Sequence, residues 1–187
     1  MQSAPVLIRT CALTLMLAAV TVVSAQRFQV KLSGNVTEYF TGDPLKGALV
    51  RVLKAGQPER QSTTKKDGRY EFILERGWRY EVWFSKTDMI TKHVIVDTRE
   101  VPAYPDVPFY DMDLQMTLFA WIPDFDFSAF EEPLGMAAYK AILRNMSWDT
   151  PFTEQVRPGL AKVMDEYAKS SQGYYKRTGR SQREDER

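Results

Sequence analysis

The chain has 187 residues, 44% of them hydrophobic and 26% charged, with 25 basic against 24 acidic side chains. A charge balance so close to zero argues against nucleic acid as a partner. One cysteine, Cys11, and one histidine, His93, exclude a disulfide framework and the clustered ligands of a zinc peptidase.

Arg9 leads into an apolar run from Cys11 to Val23 that is too short to span a bilayer comfortably and closes on Ser24-Ala25. Residues 1–25 therefore read as a secretory signal peptide cut after Ala25. Cys11 opens the apolar run instead of ending it, so it does not read as a lipoprotein cysteine. Removing the segment takes away Arg9 and no acidic residue, which leaves the charges in balance and the remainder free of cysteine. An exported chain without cysteine suits a bacterial envelope better than a disulfide-stapled secreted domain. The expected location is the periplasm, the outer membrane or the medium, with no membrane-spanning segment after residue 25.

From Phe28 to about Tyr39, apolar Phe28, Val30, Leu32 and Val36 alternate with polar neighbours, the period of a strand with one wet face. Thr41-Gly42-Asp43-Pro44 stops it, and Ala48, Val50 and Val52 carry a second strand to about Lys54. Ala55-Gly56-Gln57-Pro58 turns the chain into a polar edge strand over 60–65. Asp67-Gly68 is the dipeptide a two-residue hairpin prefers, and it leads to a fourth strand with Tyr70, Phe72 and Leu74 inward. Arg76-Gly77 turns into a fifth with Tyr80, Val82 and Phe84 inward, and residues 90–98 give a sixth. Pro102, Pro105 and Pro108 form a stiff connection to a seventh strand, in which Tyr110, Met112, Leu114, Met116 and Leu118 alternate with polar residues.

Seven short strands at intervals of about ten residues predict an all-β, seven-stranded antiparallel β-sandwich over 26–119. Residues 120–169 read as an extension. Trp121 to Pro133 is aromatic and acidic, and 136–145 fixes no element. Thr150 caps a short C-terminal helix with Phe152, Val156, Leu160, Val163, Met164 and Tyr167 on one face, kinked or split at Pro158-Gly159. Residues 170–187 are charged, poor in aliphatics and expected to be a disordered tail.

The run Gly34-x-Val36, Thr41-Gly42-x-Pro44-Leu45-x-Gly47-Ala48-x-Val50-x-Val52, then Asp67-Gly68-x-Tyr70-x-Phe72, Gly77 and Tyr80-x-Val82 resembles the carboxypeptidase regulatory-like domain, a transthyretin-like β-sandwich. The resemblance covers roughly residues 29–95, and it departs at Asp88-Met89, where such domains often carry Gly-Tyr. It implies a non-catalytic accessory module, often attached to peptidases, receptors or assembly factors.

No catalytic constellation is visible: His93 sits on a strand without a recognisable partner, and a hydrolase needs a nucleophile beside a base. The chain is therefore expected not to be an enzyme, with no catalytic residue, cofactor or metal. Asp111, Asp113, Asp124 and Asp126 could collect Ca²⁺, which takes six to eight oxygens, yet they lack the spacing of a calcium loop and read as wet-face carboxylates. Aromatic and helical residues make the candidate interaction surface: Trp78, Trp83, Trp121, Phe125, Phe127, Val156, Leu160 and Met164. The expected role is structural or protein-interacting, with another envelope protein as partner. A carbohydrate-binding module using exposed Trp83 or Trp78 is the alternative, and a transthyretin-like hydrolase the third reading.

Overall fold

The computed structural model describes residues 29–103 and 109–178. The expected signal peptide, Phe28, Pro105, Pro108 and the end of the charged tail lie outside the described residues. Among the described residues there are ten strands and one long helix: β1 Gln29–Glu38, β2 Leu49–Lys54, β3 Gln57–Thr63, β4 Arg69–Glu75, β5 Arg79–Ser85, β6 Lys92–Asp97, β7 Phe109–Asp113, β8 Met116–Leu118, β9 Met136–Lys140, β10 Asn145–Trp148 and α1 Thr150–Thr178.

The strands form two sheets. In the first, β1 pairs antiparallel with β4 and parallel with both β7 and β8. The second runs β10-β9-β6-β5-β2-β3, with β6 and β9 parallel and the remaining pairs antiparallel. The sandwich is thus mixed and ten-stranded, where seven antiparallel strands were expected. Alternation reports which face a residue takes and is blind to the direction of the neighbouring strand.

The inward residues are those the alternation selects. Val30, Leu32 and Val36 of β1 and Tyr80, Val82 and Phe84 of β5 are all fully buried in one core between the sheets. The expected seventh strand breaks into β7 and β8 around Leu114, whose N–H donates to Ser33 O at 2.9 Å. Tyr70 Oη donates to Leu114 O at 2.6 Å, and a Cβ on Gly34 would fall 2.0 Å from that same oxygen. Only glycine lets the two backbones approach so closely.

Two turns differ from expectation. Ala55 and Gly56 alone join β2 to β3, both at positive φ (49° and 78°), so β3 starts at Gln57 and carries Pro58 at an edge-strand irregularity. Asp67-Gly68 is not a hairpin: β3 and β4 lie in different sheets, and the turn carries the chain across. There Gly68 O accepts from Val36 N–H at 2.9 Å, and a Cβ on Gly68 would meet Val36 O at 2.4 Å.

The extension belongs to the same body. Residues 136–148 form the β9–β10 hairpin, which widens the second sheet. Helix α1 is continuous through Pro158 and runs to Thr178, correcting the expectation of a short or broken helix and of disorder from residue 170. Its cap is Asp149, with Thr150 already helical. Asp149 Oδ1 accepts from Phe152 N–H at 3.0 Å, while Oδ2 takes Lys140 Nζ at 2.8 Å. A second apolar cluster seats the helix: Ile90, Phe119, Ile122, Phe130 and fully buried Tyr167. Tyr167 Oη donates to Ala120 O at 2.7 Å.

Candidate functional site

The residues selected from the sequence separate into three settings. Phe125, Phe127, Leu160 and Met164 pack half-buried against the second cluster, and Val156 is half-buried on the same helix. Phe125 and Phe127 lie 5.5 and 6.1 Å from the Tyr167 ring. These side chains hold the helix to the sandwich, so they are packing and not an open docking face. Trp121 is 56% exposed beside them.

Trp83, expected on a solvent face, is half-buried. It opposes His93 across β5 and β6, and the two rings stack at 4.0 Å with 7° between their planes. Its indole N–H donates to Glu81 Oε2 at 3.0 Å. His93 is itself buried, and its Nδ1 has no hydrogen-bond partner among the described residues. Burial pushes the imidazole below its ordinary range, with Glu81 and Glu132 acting in the other direction. Trp78 remains 42% exposed in the turn just before β5, with Lys54 Nζ 4.3 Å from its ring centroid. The glycan platform therefore loses Trp83 and keeps only the uncovered part of Trp78.

The carboxylates weighed for calcium and read as wet-face residues, Asp111, Asp113, Asp124 and Asp126, do not converge. Asp113 accepts from Gln115 Nε2 at 2.8 Å and Asp126 from Ser128 N–H at 2.9 Å. Among the described residues no group of three or more metal-ligating side chains comes together.

Two features were not singled out from the sequence. The first is the turn joining β9 to β10, where Ile142 is 97% exposed and Leu143 60% exposed. Lys140 and Arg144 flank the pair, Arg144 at a positive φ of 49°. Met136-Ala-Ala-Tyr-Lys140 carries no clear period, so the hairpin that presents Ile142 left no mark in the pattern.

The second is Lys92, only 5% exposed. It stands on the inward parity of β6 with Val94 and Val96, and that parity was the legible signal. Its Nζ donates to Thr117 O at 2.7 Å and lies 4.3 and 5.4 Å from the ring centroids of Phe119 and Phe130. Burial pulls the amine down from 10.5 to about 7. Lys92 also lines an open cleft of about 520 Å³, together with Thr117 of β8, Leu134, Trp148 of β10, and Thr153 and Arg157 of α1.

No family model matches the chain, and none of the curated proteins matches it. Among solved structures it is similar to catechol 1,2-dioxygenase from Acinetobacter sp., at 15% identity over 51% of this chain and 54% of that one, with a TM-score of 0.38. It is also similar to 3-chlorocatechol 1,2-dioxygenase from Rhodococcus opacus, at 12% identity over 50% and 60%, TM-score 0.37. A third is 5-hydroxyisourate hydrolase from Klebsiella pneumoniae, at 12% identity over 49% of this chain and 99% of that one, TM-score 0.34. The chain spans little more than half the length of the dioxygenases.

These likenesses assign no family and no reaction to the chain. The expectation that the chain is not an enzyme is withdrawn: the three solved structures named above are enzymes by name. A β-sandwich of this kind is no mark of a non-catalytic protein.

Proposed function

We propose that the chain is an exported β-sandwich that acts through protein–protein contact in the bacterial cell envelope, with the β9–β10 turn as its contact. The observation that carries this reading is the exposure of Ile142 and Leu143 side by side at the tip of a hairpin. Each aliphatic side chain removed from water on a partner supplies roughly 1.5–3 kcal/mol. Lys140, which flanks the pair, is held by Asp149 at 2.8 Å, so the aliphatic side chains carry the contact. Export is supported by the composition of residues 1–25 and by the lack of cysteine beyond them. Among the described residues no helix is long and apolar enough to cross a membrane.

The test is affinity capture from the cell envelope after mild crosslinking, comparing the native chain with an Ile142→Ser/Leu143→Ser variant. Both positions are exposed in a turn, so the variant should fold with stability within about 0.5 kcal/mol of native. A defined set of envelope proteins retained by the native chain and lost by the variant is the expected result. Equal capture by both, or specific capture by neither, would overturn the reading.

A further inference from the structure

We propose that the cleft between β8, β10 and the first turns of α1 is a binding site for a small organic carboxylate with an apolar body, its carboxylate held by Lys92 and Arg157. This site is independent of the hairpin tip.

Charge carries the first part of the argument. Lys92 and Arg157 are the ionisable residues lining the cleft, and no acidic side chain lines it. Buried Lys92 has a backbone carbonyl and two aromatic faces around Nζ, and among the described residues no carboxylate pairs with it. A buried ammonium without a counter-charge is costly, and a ligand anion would supply what the protein does not. Arg157 is exposed on α1 and forms no ion pair among the described residues. Asp149, next to the cleft-lining Thr150, is committed to Lys140 Nζ and to the cap of α1, so it does not neutralise either cation.

Shape and lining set the ligand class. Val94, Met116, Leu134 and Trp148 give the cleft an apolar wall, and Thr150 and Thr153 of α1 line it beside Arg157, the Thr153 hydroxyl donating to Asp149 O at 2.9 Å. An inorganic anion would leave that wall wet. A volume of about 520 Å³ falls in the range of small-molecule sites. Arg157 presents a planar fork suited to two parallel hydrogen bonds with a carboxylate, and Lys92 a single point charge.

The experiment is a calorimetric titration of the purified chain with phenylacetate and with its neutral counterpart phenylacetamide, accompanied by amide and indole chemical-shift mapping. The native chain is expected to prefer the acid by about tenfold or more, with the Trp148 indole N–H among the shifted resonances. Arg157→Ala, at an exposed helix position where folding is not at risk, and Lys92→Met are each expected to reduce that preference to about threefold or less. Equal binding of acid and amide, binding of neither at millimolar concentration, or an unchanged preference in Arg157→Ala would overturn the proposal.

Discussion

Lys92 is a cation kept in surroundings that favour its neutral form. In the unfolded chain its amine ionises at the ordinary 10.5, and in the folded chain at about 7. Between those values the unfolded state carries the extra proton, so stability rises with pH, by at most about 1.4 kcal/mol per pH unit. His93, lowered by burial from 6.5, adds a rise in the same sense at lower pH. Buried Tyr80, pushed up to about 12, and Tyr70, raised further by desolvation and by Asp113, work in the opposite sense. Above about pH 10 the unfolded chain releases phenolic protons that the folded chain keeps, and stability falls. The denaturation midpoint of the native chain should therefore climb from pH 7 toward pH 10 and drop beyond it. Lys92→Met should flatten the climb and leave the drop. A native profile that is flat or falling between pH 7 and 10 would contradict this account of Lys92.

At the scale of elements, α1 is an integral part of the fold. Tyr167 is fully buried, its ring lies 4.4 Å from Phe119, and its hydroxyl reaches Ala120 O. Tyr167→Ala should cost about 3 kcal/mol or more in chemical denaturation, and Tyr167→Phe, which loses only the hydrogen bond, about 1 kcal/mol. A loss near zero for the alanine variant would mean that the helix does not contribute to the folded core. Cutting the chain before Thr150 would remove core, so truncation cannot serve as a clean test of docking.

The elements also show what was legible in the sequence. Strands β1, β4 and β5 were readable because each has one buried face, which forces apolar residues to every second position. Sheet membership was not. Asp67-Gly68 records a local demand for positive φ at Gly68, and that demand is the same in a hairpin and in a crossing between sheets. Ala55 at positive φ hid the two-residue turn before β3, because alanine gives no hint of that conformation. Strands β9 and β10 are short and joined by the unpatterned Ala141 to Arg144, so no period could emerge. Trp83 was placed on the correct face, but its cover is the neighbouring His93, which pattern cannot pair with it before the register is known. Lys92 was visible only as a lysine on inward parity, and its setting came from the packing of Phe119 and Phe130, distant in the chain.

At the scale of the whole molecule, two clusters divide the apolar residues: one between the sheets, and one that clamps the aromatic extension and α1 against the end of the sandwich. That arrangement consumes most of the side chains that sequence alone offered as an interaction surface. Among the described residues the most exposed large apolar side chains are Ile142 and Leu143 at the β9–β10 tip and Trp121, with Tyr39, Phe40, Trp78, Phe109 and Trp148 exposed to a lesser degree. The most direct test places a photo-crosslinking residue at position 142, and for comparison at Glu59 on exposed edge strand β3, in chains expressed in their own envelope. A discrete adduct of defined mass from position 142 and none from position 59 is the predicted result. No adduct from position 142, or the same adducts from both positions, would contradict the assignment of the hairpin tip as the contact.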